Sequence, residues 1–166
     1  MAHVIHGFIA QRQVLDAAAE TLHGAVIAPL GQGFGFLPVT EEVTDAVGPT
    51  AFEAFSNLTD ALREWAVLHS RKFPIAYVET EYFGVGTQAA VVWRDGLVVF
   101  GPDSSESKWI DGKYVTPPLL DWAINRSLRL LGANRTNDLD EFDSVGLDEY
   151  RSDEAWIRAA RTSTCS

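Results

Sequence analysis

Residues 73–101, FPIAYVETEYFGVGTQAAVVWRDGLVVFG, constrain the fold more than any other stretch. They read as three strands joined by two tight turns, an antiparallel meander against which the other segments must pack. Asp95-Gly96 sits at the centre of Arg94-Asp95-Gly96-Leu97. A two-residue hairpin turn needs positive φ at both central positions, which Asp-Gly accepts at little cost. This pairs Trp93 with Val98 and Val91 with Phe100, and leaves Val92 and Val99 on the opposite face. The first turn admits two registers. With Gly84-Val85 as a two-residue turn, Phe83 faces Gly86 and Val78 faces Val91. Val78, Ala89, Val91, Trp93, Val98 and Phe100 then form one apolar face, and Glu79, Glu81 and Gln88 share the other. With Gly84-Val85-Gly86 all in the loop, the strand slips by one residue and Glu79 and Glu81 land among Ala89, Val91 and Trp93. Carboxylates there are costly without partners, so the first register is expected.

Around the meander, Val14, Leu15, Ala18 and Leu22 recur at helical spacing over 12–22, and Gly24 is a natural stop. Leu58, Leu62, Trp65 and His69, with Ala61 and Leu68 beside them, mark an amphipathic helix over 57–70. Residues 3–9, 25–30 and 33–39 read as strands. Thr40 is placed to cap a short acidic helix that Gly48-Pro49 ends. Pro117-Pro118 opens a helix over 118–131 lined by Leu120, Ala123, Ile124, Leu128 and Leu131, and Gly132 closes it. A second Asp-Gly turn, Asp111-Gly112, predicts a small flap carrying Trp109 and Tyr114. Strands alternating with helices point to a single α/β (α+β) domain over 1–161, its mainly antiparallel sheet flanked by helices, and a tail over 162–166.

With 166 residues, 46% of them hydrophobic, the chain is long enough for one real core. No run approaches the ~18 apolar residues of a membrane span. The first residues lack the basic lead and apolar stretch of a signal peptide. The single cysteine, Cys165, has no internal disulfide partner, so a reducing cytoplasm is expected. A net charge of −10 argues against nucleic acid or an anionic membrane as partner and favours a basic protein.

That charge is concentrated. Asp138, Asp140, Glu141, Asp143, Asp148, Glu149, Asp153 and Glu154 face one base, Arg151, giving −7 of the total between 138 and 154. Leu139, Phe142, Val145, Leu147, Tyr150, Trp156 and Ile157 are interleaved, which predicts a folded acidic segment rather than a disordered tail. Asp138, Asp140 and Glu149 match positions one, three and twelve of a calcium loop. Phe142 and Asp143 occupy the fifth and sixth positions, where an oxygen ligand and a glycine are required, so no metal site is expected. Gly31-Gln32-Gly33-Phe34-Gly35 lacks the third glycine and the following helix of a dinucleotide loop and reads as a bend between strands, so no cofactor is expected. His3 and His6 point to opposite strand faces and cannot readily share a metal. Glu79 and Glu81, ~7 Å apart along a strand, match the separation of an inverting carboxylate pair, with Tyr77, Tyr82 and Gln88 beside them.

Three stretches together, YVETEYFGVGTQAAVVW at 77–93, INRSLRLLG at 124–132 and DEFDSVGLDEY at 140–150, resemble small, largely uncharacterised cytoplasmic proteins of actinobacteria and other bacteria. These belong with the immunity-like proteins that accompany polymorphic toxins. The resemblance runs from Phe73 to Trp156, with a looser match in GQGFGFLPVT, and implies an antitoxin role with no catalytic residue to carry over. The expectation is therefore a non-enzymatic protein that binds a basic partner, a toxin domain, through Asp138, Asp140, Glu141, Phe142, Asp143, Asp148, Glu149 and Tyr150. Trp109 and Trp156 are the further aromatic anchors. Two alternatives are a small-molecule-binding protein or hydrolase using Tyr77, Glu79, Glu81, Tyr82 and Gln88, and an acidic DNA mimic.

Overall fold

A computed structural model describes residues 2–40, 42–43, 54–83 and 85–164. The acidic helix expected after Thr40, its Gly48-Pro49 stop, Gly84 and Cys165 fall wholly or largely outside them. Six strands form one antiparallel sheet in the order β2-β3-β1-β4-β5-β6: β1 His3–Gln11, β2 Ala28–Pro29, β3 Phe34–Pro38, β4 Ile75–Phe83, β5 Val85–Arg94 and β6 Leu97–Glu106. A separate hairpin, β7 Lys108–Ile110 and β8 Lys113–Val115, follows β6. The helices are α1 Arg12–Ala19, α2 Asp60–His69, α3 Ala123–Leu130, α4 Glu141–Ser144 and α5 Asp153–Thr164. Helix α1 is shorter than expected, the 118–131 helix starts as a 3-10 turn at Leu119–Asp121, and α5 runs beyond the boundary expected at 161. The expected α+β architecture is present, and Gly31–Gly33 forms the bend between β2 and β3.

The sheet is covered on both faces. Phe8, Tyr77, Val91 and Trp93 pack under Leu15 of α1 and Leu62 and Trp65 of α2. On the opposite face Ile5, Ile9, Val78 and Val92 pack under Ile124 and Leu128 of α3, Phe142 of α4 and Trp156 of α5. This three-layer arrangement explains why Ile75–Val78 and Ala89–Trp93 are unbroken apolar runs: a strand buried on both sides has no polar face to alternate with.

Both hairpins of the meander form, with corrections to register. Asp95 and Gly96 have φ of 55° and 77°, and Trp93 pairs with Val98 as expected. Beyond them the pairing slips: Val92, not Val91, faces Phe100, and Ala90 faces Asp103. Gly101 sits at the slip with φ 77°, where an added Cβ would lie 2.4 Å from the Ala90 carbonyl. At the first turn Phe83 pairs with Val85, Glu79 with Ala89 and Tyr77 with Val91. Neither expected register occurs. Glu79 lies on the face of Ala89, Val91 and Trp93, whereas Val78 and Gln88 lie on the other. The penalty that argued against this side for Glu79 is met by partners contributed from another part of the chain.

Candidate functional site

Those partners come from the segment before α2. The Glu79 carboxylate, 8% exposed, accepts hydrogen bonds from Ser56 N at 2.8 Å, Asn57 N at 2.9 Å and the Tyr77 hydroxyl at 2.7 Å. It thereby ties residues 56–57 to the sheet. Glu81, the other half of the expected pair, is exposed at the rim. Between them lies a cavity of about 110 Å³ bordered by His6, Glu79, Glu81, Thr87 and Gln88. That volume falls well below the roughly 300 Å³ at which ligand pockets begin. Tyr77 and Tyr82 are both nearby but differently engaged. Tyr82 accepts a short hydrogen bond from Gln88 Nε2, and Gln88 Oε1 accepts from Ile124 N at 3.1 Å. Ser105 Oγ accepts from Ala123 N at 3.0 Å, so the sheet supplies the caps that the Trp122 side chain does not give α3.

The acidic segment divides into two sets. Asp140 caps α4 by accepting from Asp143 N at 2.9 Å, and it also accepts from Asn125 Nδ2 at 3.0 Å. Glu141 accepts from Arg129 Nε at 3.0 Å beneath the surface. Asp153 accepts from the His6 backbone N–H at 2.8 Å and lies 2.7 Å from His6 Nδ1. Burial opposes the charge on His6, but the Asp153 hydrogen bond and the nearby negative charges outweigh it and raise its pKa. These three carboxylates hold the fold together. Phe142 and Trp156 belong to the core, and Tyr150 stacks edge-on against Trp156 at 4.8 Å, so none of the three stands free as an anchor. Asp138, Asp148, Glu149 and Glu154 remain exposed, with Asp143 half-buried. Composition marks the whole segment equally; the caps at Asp140 and Ser152, each followed by a helix, are the signal that separates the sets.

Trp109 stands apart from the other aromatic candidates. It is 63% exposed on the β7–β8 arm, whose residues are exposed from Lys108 to Val115. Asp111 and Gly112 turn the arm with φ of 49° and 80°, and Trp109 packs edge-on to its cross-strand partner Tyr114 at 4.9 Å. Ser107 and Thr116 hydroxyls close its base at 2.8 Å. A two-stranded ribbon alone is marginal in water, and this one displays Trp109, Ile110, Tyr114 and Val115 to solvent. Tyr114 was expected on this flap beside Trp109, whereas Ile110 and Val115 were not; the signal for them was their place on either side of the Asp111-Gly112 turn.

The arm and the acidic segment share one end of the sheet. The arm leaves β6 after Glu106, which pairs with Thr87 near the β4–β5 turn. At that end His3 pairs with Tyr82, and its ring lies 5.5 Å from Phe142 in the acidic segment. Among the described residues no group of three or more His, Cys, Asp or Glu side chains is placed to hold a metal, and no helix is long and apolar enough to cross a membrane. Comparison with family models, with characterised proteins and with solved structures returned no match.

Proposed function

We propose that this chain is a non-enzymatic, cytoplasmic binding protein of the immunity type that neutralises a basic protein partner. The observation that carries the reading is an exposed aromatic arm at the end of the sheet where Asp143 and Asp148 lie close enough to Tyr82 and His3 to act on them. Asp138, Asp148 and Glu149 would steer a cationic partner and raise its association rate. Trp109 and Tyr114 would supply affinity by burial, since aromatic anchors dominate interface energetics. On the other face of the sheet, Asp16 and Asp60 have Arg12 and Arg63 one turn away, at 3.8 and 3.5 Å. Ion pairs occur on the opposite face too, at Arg126–Asp103 and Arg129–Glu141, so the preference over the all-round charge of a DNA mimic rests on the concentration of carboxylates between 138 and 154. The resemblance of residues 73–156 to immunity-like proteins supports a toxin domain as that partner.

The test is co-purification with the product of the neighbouring open reading frame, followed by association kinetics across a salt series. The Asp138→Asn/Asp148→Asn/Glu149→Gln variant is expected to associate more slowly at low salt, with the difference closing as screening rises. Trp109→Ala/Tyr114→Ala is expected to dissociate faster. Failure to co-purify, or wild-type kinetics in both variants, refutes the proposal.

A further inference from the structure

A groove runs along the α1–α2 face between the two helices. It has a volume of about 460 Å³, within the range of small-molecule sites. Val14, Ala17 and Ala18 of α1 form one wall, and Leu68, His69 and Phe73 face them from the end of α2 and the turn beyond it. Trp65 fixes the two walls together, donating from Nε1 to Thr21 Oγ1 at 2.9 Å and to the Ala18 carbonyl at 3.2 Å. Leu68 and Phe73 remain exposed although both are large and apolar.

The polar lining carries the argument further. Arg71 and Lys72 sit at the groove, and no carboxylate borders it among the described residues. In a chain with 23 acidic and 13 basic residues, such a locally cationic lining stands against the overall charge. Neither cation forms an ion pair among the described residues, whereas Arg12, Arg63, Arg126 and Arg129 all do. The His69 side chain also borders the groove, its ring packed against Trp65 at 5.1 Å. An apolar groove bordered by two cations without ion pairs matches a ligand with an apolar body and an anionic head.

We propose that this groove binds a small amphipathic carboxylate, its tail along Val14, Ala17, Leu68 and Phe73 and its head at Arg71 and Lys72. The site lies across the sheet from the acidic segment and includes no residue of the arm, so it neither depends on nor supports the partner-binding reading.

The probes are decanoate, butyrate and decyltrimethylammonium, each titrated below its micellar concentration against the ¹⁵N-labelled chain. Decanoate is expected to shift the amide resonances of Val14, Ala17, His69 and Phe73 and to leave those of the arm unmoved. Butyrate, with the head but no tail, and decyltrimethylammonium, with the tail but the opposite head, are expected to bind at least about tenfold more weakly. Arg71→Glu/Lys72→Glu alters only exposed side chains and is expected to lose about tenfold or more in decanoate affinity. Ala17→Trp keeps the charges, fills the trough and is expected to abolish binding. Equal affinity for the cationic amphiphile, wild-type affinity in either variant, or binding only once micelles form would overturn the proposal. So would capture by anionic vesicles with no binding of monomeric decanoate.

Discussion

Replacing Glu79 by Gln tests whether a buried carboxylate sets the meander's position against the rest of the fold. The substitution keeps shape and volume but exchanges one acceptor oxygen for an NH₂ group. If the amide oxygen takes the Oε2 position, it retains Asn57 N at 2.9 Å and the Tyr77 hydroxyl at 2.7 Å, while Ser56 N loses its 2.8 Å acceptor to an NH₂ group and keeps only the longer 3.0 Å bond to that oxygen. If it is flipped, Ser56 is served and the NH₂ faces Asn57 N, while the Tyr77 hydroxyl can turn to accept. Either orientation sets one N–H against another and removes a charge-assisted hydrogen bond, a loss of about 2 kcal/mol. For a chain of this size that lowers the melting temperature by about 4–8 °C. Amide exchange supplies the local readout: Ser56 or Asn57 should lose protection while the strand amides of β5 keep theirs. A melting temperature within about 1 °C of wild type, with both amides still protected, would show that Glu79 is not the tie described.

Other outcomes follow from the same contacts. Burial first, and then the charges of Asp140 and Asp143, push the Tyr82 phenol up to about 12, against a hydrogen bond from Gln88 that pulls it down. Burial and the neighbouring Glu79 also raise Tyr77 well above the ordinary value of 10, so absorbance titration should show two late-ionising tyrosines, and Tyr82→Phe should remove one of the two. His6 has a folded pKa raised above 6.5, so it binds its proton more tightly folded than unfolded. Its stabilisation is complete below pH 6.5 and is lost as pH rises through the folded value; Asp153→Asn should lower that value in an imidazole NMR titration. Asp140→Ala removes the α4 cap and leaves Asn125 Nδ2 with one partner fewer, costing about 2 kcal/mol in denaturant unfolding, whereas Asp148→Ala, exposed and outside any helix, should change stability by less than about 0.5 kcal/mol.

The turns were legible because their chemistry is local: Asp95-Gly96 and Asp111-Gly112 carry the positive φ that their composition predicts. The register of β4 was not, because it depends on Ser56 and Asn57, more than twenty residues away. A pattern rule scores a buried Glu as an error until the donors that surround it are known. The second covered face of the sheet was visible in the unbroken run Ala89–Trp93, yet the presence of Glu79 and Glu81 nearby made the strand look half-solvated. The acidic segment hid its division for a different reason. Capping, core pairing and solvation all use the same residue types, and only the backbone N–H groups each side chain meets tell them apart.

One contact has a bearing on how the molecule is made. Strand β1 is paired with β3 only from Gly7 onward, and its first residues are completed by the start of the last helix: Val4 N bonds to the Arg151 carbonyl and His6 N to Asp153. A ribosome therefore produces the first strand of the sheet long before the residues that finish its edge. Until residues 140–160 emerge, Ile5, Ile9, Val78 and Val92 lack much of the layer that covers them. The α1–α2 face can be built first, and the second face, once β4 and β5 are made, stays only partly covered by α3 until α4 and α5 emerge. Slowing translation after residue 132 should lengthen that window and increase aggregation, and a fragment spanning residues 139–164 added in trans should shorten it.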